Sequence, residues 1–391
     1  MRKIKAHYIF DGYQFHAYAT LVLNDDNSVK EILPHSDVEE AQTEFYSGII
    51  CPGFINAHCH LELSHLHNQI PQHCGLPNFI KHVVSLRNSI ESTQEYMERA
   101  DNSMREQGIV AVGDISNTTQ SIEIKQHSSI YYHSFIELFD MFSQTQQIFA
   151  EGKALFKTFR SASIPCSLSP HAPYSCSRTL FERISEHAQE YETIITIHNQ
   201  EHNSENEFFA SNTGELFSFL TSRNVSLQTK KPSGKTSLQT YAAWLPPLQH
   251  IVFVHNTHTV AKDIDFLLSL RSKDTFTFVI CPLSNKYIAQ ELPPIELFMQ
   301  YGISVAIGTD SLASNTSLSI LDEICYLQEK FPKMSLEYLL QCATINGAKA
   351  LGIHKTYGSF NLGTTPGVIL LEGINLRTLQ CTEQSRIKVL I

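Results

Sequence analysis

The stretch PGFINAHCH, residues 52–60, decides how this chain is interpreted. Its apolar run is strand-like and ends in two histidines, His58 and His60, two positions apart. Side chains two apart on a strand point to the same face, so both imidazoles can reach one metal ion. The stretch therefore predicts half of a metal site at the end of a buried strand.

Three further strand-like runs end in residues of the same chemical kind. Thr196-Ile197-His198 stands at the end of one run, Phe253-Val254-His255 stands at the end of another, and Asp310 follows the apolar pair Ala306-Ile307. Imidazoles with one carboxylate are the ligands of catalytic Zn²⁺ or a similar divalent ion. One such residue alone is commonly structural, but four runs that end in this way predict a metal site.

The alternation of short apolar runs with helical patterns predicts an α/β fold, a (β/α)₈ TIM barrel over residues 51–355. In such a barrel the carboxyl ends of the strands meet on one face, where catalytic residues lie. Residues 1–50 and 356–391 contain short strands and turns and are expected to pair as one small β-domain. The polar stretch 224–240 is expected to be a long loop. The predicted barrel strands are Ile49–Ile55, Val110–Ile115, Ile130–Ile136, Cys166–Ser169, Thr193–Ile197, Ile251–Val254, Thr277–Cys281 and Ser304–Ile307.

The composition excludes several classes of protein. The chain has 391 residues and a net charge of −10, which gives no electrostatic footprint for nucleic acid or an anionic membrane. No apolar run approaches the ~18 residues of a membrane span, and the start of the chain lacks the pattern of a cleaved signal peptide. Nine cysteines without CxxC spacing do not indicate a disulfide framework. We expect a cytoplasmic protein that acts on a small molecule; a homodimer is left open.

The chain resembles the amidohydrolase superfamily, in its deaminase and chlorohydrolase branch. The resemblance implies one divalent metal ion, Zn²⁺ or alternatively Fe²⁺, held by His58, His60, His198 and Asp310. It also implies a barrel with a β-sandwich made from both termini. No strand end carries a lysine in a comparable motif, which argues against the binuclear branch with a carboxylated lysine. The motifs that carry the resemblance are residues 52–60, Pro170–Tyr174, His198–Glu201, His255, Cys281–Asn285 and Gly308–Ser311.

Hydrolytic deamination of an amino-heterocycle needs a nucleophile and two proton transfers. A bound metal supplies hydroxide at neutral pH. Glu201 lies three residues after His198 and is predicted to move a proton to the ring nitrogen. Asp310 is predicted to carry a proton to the leaving group, and His255 to orient the nucleophile. His258 is given a structural or supporting role.

The substrate is predicted to be an adenine-type nucleoside, with 6-amino-6-deoxyfutalosine of menaquinone biosynthesis as the best single candidate. The resemblance assigns His171 to contact with the purine ring. Glu62 lies beside the predicted metal ligands and is predicted to hydrogen-bond the substrate, and Ser284 and Asn285 are also predicted to bind it. Arg87 stands near the place where deaminases of thioether nucleosides carry a ribose-binding glutamate, and an arginine there favours a carboxylate. The alternatives are a deaminase of guanine or another amino-heterocycle, a chlorohydrolase-like enzyme, and a paralogue that binds ligand without turnover.

Overall fold

The computed structural model describes residues 1–35, 43–88, 93–141, 144–223 and 231–391. Its strands alternate with helices from residue 54 onward. The strands are β1 (Arg2–Phe10), β2 (Phe15–Ala17), β3 (Thr20–Leu23), β4 (Val29–Leu33), β5 (Thr43–Pro52), β6 (Phe54–Cys59), β7 (Ile109–Ser116), β8 (Tyr131–Leu138), β9 (Cys166–Pro170), β10 (Ile195–Asn199), β11 (Ile251–His255), β12 (Phe276–Ile280), β13 (Val305–Ile307), β14 (Val368–Glu372) and β15 (Arg386–Val389).

Most helices connect one barrel strand to the next, and the longer ones turn an apolar face toward the strands. They are α1 (Leu76–Leu86), α2 (Thr93–Glu106), α3 (Ile122–His127), α4 (Thr145–Ser161), α5 (Arg178–Glu190), α6 (Asn203–Ser211), α7 (Gly214–Ser222), α8 (Ser237–Tyr241), α9 (Ala261–Leu270), α10 (Pro282–Ala289), α11 (Ile295–Gln300), α12 (Ile320–Lys330), α13 (Leu336–Ala343) and α14 (Ile345–Ala350).

Strands β6 to β13 form the predicted parallel barrel. They lie in chain order as two four-stranded parallel sheets, β6 to β9 and β10 to β13. At one seam the His198 amide donates to the His171 carbonyl, and at the other the Asp310 amide donates to the His58 carbonyl while Cys59 pairs with Asp310. Small and branched side chains such as Ala57, Val254 and Ala306 fill part of the interior. The expected α/β barrel is therefore confirmed.

The two ends of the chain form one seven-stranded sheet. Its order is β15-β14-β5-β1-β3-β4, with β2 paired to β1. Strand β14 runs antiparallel to β5, which in turn runs parallel to β1. The expected pairing of the two ends is thus present, whereas the domain boundaries at residues 51 and 355 stay a prediction.

The first predicted strand, Ile49–Ile55, is wrong as a single barrel strand. Residues up to Pro52 belong to β5 in the terminal sheet, and β6 begins at Phe54. Gly53 lies between the two strands. A side chain does not fit at this position, because a Cβ would lie only 2.3 Å from a methyl group of Val110 and 2.9 Å from the backbone oxygen of Pro366. The chain changes sheets where only glycine fits.

The predicted loop 224–240 lies partly outside the described residues, which resume at residue 231. Its last part is helical rather than a loop, because α8 begins at Ser237. Thr236 caps this helix by accepting a hydrogen bond from the Gln239 amide. In the described part of the chain, no helix combines the length and apolar character that a membrane crossing requires.

Candidate active site

Three histidine side chains converge at the carboxyl ends of the barrel strands. His58 lies in β6, His60 directly follows that strand, and His198 lies in β10. The Nε2 atom of His60 lies 3.2 Å from Nε2 of His58 and 3.3 Å from Nε2 of His198. The sequence prediction that these residues meet at one point is in agreement with this geometry.

This donor set fits a divalent metal ion. A tetrahedral site with metal–nitrogen bonds of about 2.0–2.1 Å separates its ligand atoms by about 3.3 Å, as observed for these nitrogens. Nδ1 of His198 lies 2.9 Å from the His171 carbonyl oxygen, which leaves Nε2 as the ligand atom. His58, His60, His198 and Asp310 are therefore the residues that would hold the ion.

Asp310 completes this candidate metal site. Its Oδ1 atom lies 3.5 Å from Nε2 of His60 and 3.7 Å from Nε2 of His58. Its Oδ2 atom accepts hydrogen bonds from the hydroxyls of Ser284 and Ser314 at 2.6 and 2.8 Å. The backbone of Asp310 has a φ of +58°, which is unfavourable for a residue with a side chain and common at functional sites.

The pKa values of His58, His198 and His255 are lowered, which favours the neutral imidazole that a metal ligand needs. Burial, together with the neighbouring imidazoles, holds the pKa of His58 well below its ordinary value. Burial lowers the pKa of His198 to about 3 and that of His255 to about 4. For Asp310, burial raises the pKa, but His60 and His255 outweigh this effect, so the carboxylate is ionised.

Glu201 and His255 lie beside the candidate metal site, as predicted. The Oε1 atom of Glu201 is 3.8 Å from Nε2 of His255, whose ring stacks on His198 with ring centres 5.5 Å apart. Burial, with the carboxylates of Asp310 and Glu205 nearby, raises the pKa of Glu201 well above its ordinary value. The raised pKa favours the protonated form of Glu201, which can donate a proton.

A cavity opens from these residues to the surface and encloses about 1120 Å³, its open mouth included. Two of the predicted substrate residues, Arg87 and His171, line it. The outer wall comes from helices α1 and α7 and is apolar, with Phe79, Val83 and Phe219 among its side chains. The cavity thus joins a polar inner end to an apolar outer compartment.

Three other predicted substrate residues do not line the described part of the cavity. Both carboxylate oxygens of Glu62 accept hydrogen bonds from the loop after β7, at the backbone amides of Asn117 (3.0 Å) and Thr118 (3.2 Å). Ser284 holds Asp310 instead, and the side-chain amide of Asn285 donates to Thr257. Their proposed contact with substrate stays a prediction.

His258 lies next to a carboxylate. Its Nε2 atom lies 2.7 Å from Oε2 of Glu291. The structural or supporting role that the sequence analysis gave His258 stays a prediction.

Among the charged residues that line the described part of the cavity, the sequence analysis missed Glu137 and Arg223. Glu137 lies near the end of β8, and Arg223 directly follows α7. Burial raises the pKa of Glu137, but the imidazoles of His171 and His198 outweigh it and leave the pKa below its ordinary value. Glu137 could have been found because it directly follows the predicted strand Ile130–Ile136, whereas nothing local marks Arg223.

The pattern of the Amidohydrolase family matches residues 49–388. The chain belongs to the amidohydrolase family. It is 26% identical over 321 residues to an adenosine deaminase of Helicobacter pylori. This alignment covers 79% of this chain and 76% of that protein. It is 24% identical over 332 residues to the aminodeoxyfutalosine deaminase of Deinococcus radiodurans, with 82% and 76% covered.

A solved structure has the same fold as this amidohydrolase. The aminofutalosine deaminase of Helicobacter pylori, crystallised with methylthio-coformycin, superposes with a TM-score of 0.80. The superposition covers 95% of this chain and 92% of that one, at 21% sequence identity. At this identity the similarity supports the barrel and its terminal sheet.

Proposed function

We propose that this amidohydrolase is a zinc-dependent deaminase of adenine-type nucleosides and that its substrate is 6-amino-6-deoxyfutalosine, an intermediate on the way to menaquinone. The observation that carries the proposal is the pair Arg87 and Arg223 on the wall of the cavity that contains the candidate metal site. Iron(II) is the alternative metal, since nitrogen and carboxylate ligands bind both ions.

The chemistry of the cavity fits a nucleoside with an extension that is both aromatic and anionic. The outer compartment is lined by Leu76, Phe79 and Val83, which favour an apolar group. Guanidinium groups bind carboxylates through paired hydrogen bonds. Aminofutalosine carries a benzoate, which combines both properties, whereas adenosine and guanine offer neither an aromatic extension nor an anion. The similarity to an aminodeoxyfutalosine deaminase supports this choice.

The residues at the inner end supply the proton transfers. When bound, a divalent ion provides hydroxide at neutral pH. The raised pKa of Glu201 favours its protonated form, which can donate to the ring nitrogen and so make the neighbouring ring carbon more electrophilic. Asp310 is ionised and can accept a proton from the attacking water and pass it to the departing amine. His255, next to Glu201, hydrogen-bonds the attacking water.

The test is ammonia release by the metal-analysed protein with aminofutalosine, adenosine, methylthioadenosine, S-adenosylhomocysteine and guanine. Aminofutalosine is expected to have the highest kcat/KM. Arg87→Met and Arg223→Met are expected to lower it about 10- to 100-fold for aminofutalosine, because hydrogen bonds between charged groups contribute ~1.5–3 kcal/mol. The same variants should leave the kcat/KM for adenosine within about twofold.

Arg178→Met is the matched control, because Arg178 lies exposed on α5 and, among the described residues, forms its ion pair with Glu182 on the same helix. It should leave all substrates unaffected. Preferential turnover of adenosine or guanine would contradict the assignment to aminofutalosine and leave the deaminase chemistry in place. Equal losses with aminofutalosine and adenosine would remove the arginines from anion recognition.

A further inference from the structure

One oxygen of the Glu137 carboxylate has no hydrogen-bond partner among the described residues. This oxygen, Oε1, belongs to a side chain that is only 7% exposed and that lines the cavity. The other oxygen, Oε2, accepts a hydrogen bond from the side-chain amide of Asn117 at 3.2 Å. A buried carboxylate oxygen without a partner is costly. It therefore indicates a donor that arrives with a ligand.

The neighbouring imidazole does not supply that donor. Oε1 of Glu137 lies 3.6 Å from Nδ1 of His198, which is beyond hydrogen-bond distance. That nitrogen is 2.9 Å from the His171 carbonyl oxygen, so its proton is already engaged there. Oε1 is thus held close to the candidate metal site, without a hydrogen-bond partner among the described residues, in a side chain that lines the cavity.

Glu137 and Glu201 contact different members of a stacked pair of rings. Glu137 approaches His198, and Glu201 approaches His255, whose ring stacks on that of His198. The reacting edge of the base must face Glu201 and Asp310, which carry the proton transfers. The group that meets Glu137 must therefore belong to another part of the substrate.

We propose that Glu137 binds the ribose of the substrate and that its Oε1 atom accepts a hydrogen bond from the 2′- or 3′-hydroxyl. This inference rests on the proposed function, because an adenine nucleoside carries its N–H donors only on the amino group that is removed. The hydroxyls of the sugar are then the remaining donors. Glu137 makes the enzyme selective for ribonucleosides over their deoxy forms.

The test compares adenosine, 2′-deoxyadenosine and 3′-deoxyadenosine with the wild-type enzyme, Glu137→Ala and Glu137→Gln. The Ala variant should lower kcat/KM for adenosine about 10- to 100-fold, the range expected for a hydrogen bond to a charged group. It should change kcat/KM by less than about twofold for the deoxy form that lacks the contacted hydroxyl. The Gln variant, which keeps an acceptor without the charge, should fall between. Glu182→Ala, on the exposed face of α5, is the matched control.

Two further measurements separate recognition from a merely structural role. Dissociation constants for the three nucleosides, measured with Glu201→Gln and with Glu201→Gln combined with Glu137→Ala, should show the same loss of selectivity without turnover. Metal content per chain should be unchanged by Glu137→Ala. If Glu137→Ala weakens binding of all three nucleosides equally and lowers the metal content, Glu137 has the structural role of positioning His198, and the proposal is overturned.

Two other results also overturn it. Glu137, His171 and His198 have ligand atoms within 4.8 Å of one another. Two metal ions per chain in the wild type and one in Glu137→Ala would assign this carboxylate to a second metal ion. A wild-type enzyme that releases ammonia from none of the nucleosides, aminofutalosine included, would refute the proposed function itself. An active enzyme with unchanged ribose selectivity in the variants would refute only this inference.

Discussion

Replacement of Lys125 by methionine is expected to destabilise the barrel directly beneath the candidate metal site. The ammonium group of Lys125 lies 2.6 Å from Oδ2 of Asp114, and both side chains are completely buried. It also donates to the hydroxyls of Ser116 and Ser134 at 2.8 Å each. The other oxygen of Asp114 accepts a hydrogen bond from the Leu61 amide at 2.7 Å. This ion pair therefore holds the turn that follows His60.

The size of the effect follows from the charge that Lys125→Met leaves behind. The Asp114 carboxylate would stay buried with the Leu61 amide as its main partner, at a cost of about 3–5 kcal/mol in the free energy of unfolding. Adding Asp114→Asn removes that charge and keeps an acceptor for the Leu61 amide. We expect the double variant to recover about 2 kcal/mol or more relative to Lys125→Met, because a neutral pair no longer leaves a buried charge unpaired.

The assay is urea unfolding followed by circular dichroism, with a chelator present so that all variants are metal-free and metal binding does not contribute to their stability. Lys157→Met is the control, because Lys157 lies exposed on α4, where a substitution should change stability by no more than about 0.5 kcal/mol. A loss below about 1 kcal/mol for Lys125→Met would refute the reasoning. So would a double variant that is no more stable than the single one.

Three further predictions concern the residues around the site. Glu201→Gln should keep the metal and lower kcat by about 10²- to 10⁴-fold, since the proton donor is lost. Metal content and ammonia release are measured together, and retained turnover would show that Glu201 is not the proton donor. The next prediction concerns Glu205, whose pKa burial raises to about 7. The protonated form therefore stabilises the fold at acidic pH, and this stabilisation is lost as pH rises from about 4.5 to 7. Unfolding of Glu205→Gln compared with wild type across that range should show a relative change of up to about 3 kcal/mol, and parallel pH profiles would contradict it. Gly308→Ala should lower both the free energy of unfolding and the metal affinity, because the added Cβ would lie 2.8–2.9 Å from atoms of His58. Metal affinity is measured by competition with a chelator, and an unchanged value would show that the strands adjust without moving His58.

The sequence by itself determined the barrel and most of the residues at its catalytic end. Period-two geometry places His58 and His60 on one face, and the end of a parallel strand defines where His198, His255 and Asp310 lie. These are local properties, since each needs only a strand and the rule that its carboxyl end faces the site. For the same reason the pairing of the two termini could be predicted from their short strands.

Only the tertiary structure decided which polar groups remain open to a ligand. Glu62 stands two residues from a metal ligand, yet the loop after β7 occupies its carboxylate. Glu137 keeps one oxygen free, and Arg223 reaches the cavity because α7 packs beside α1. The hydrogen-bond partners of a buried side chain depend on loops that are distant in sequence. Strand periodicity therefore predicts the metal ligands, and the packing of loops and helices decides the residues that recognise the substrate.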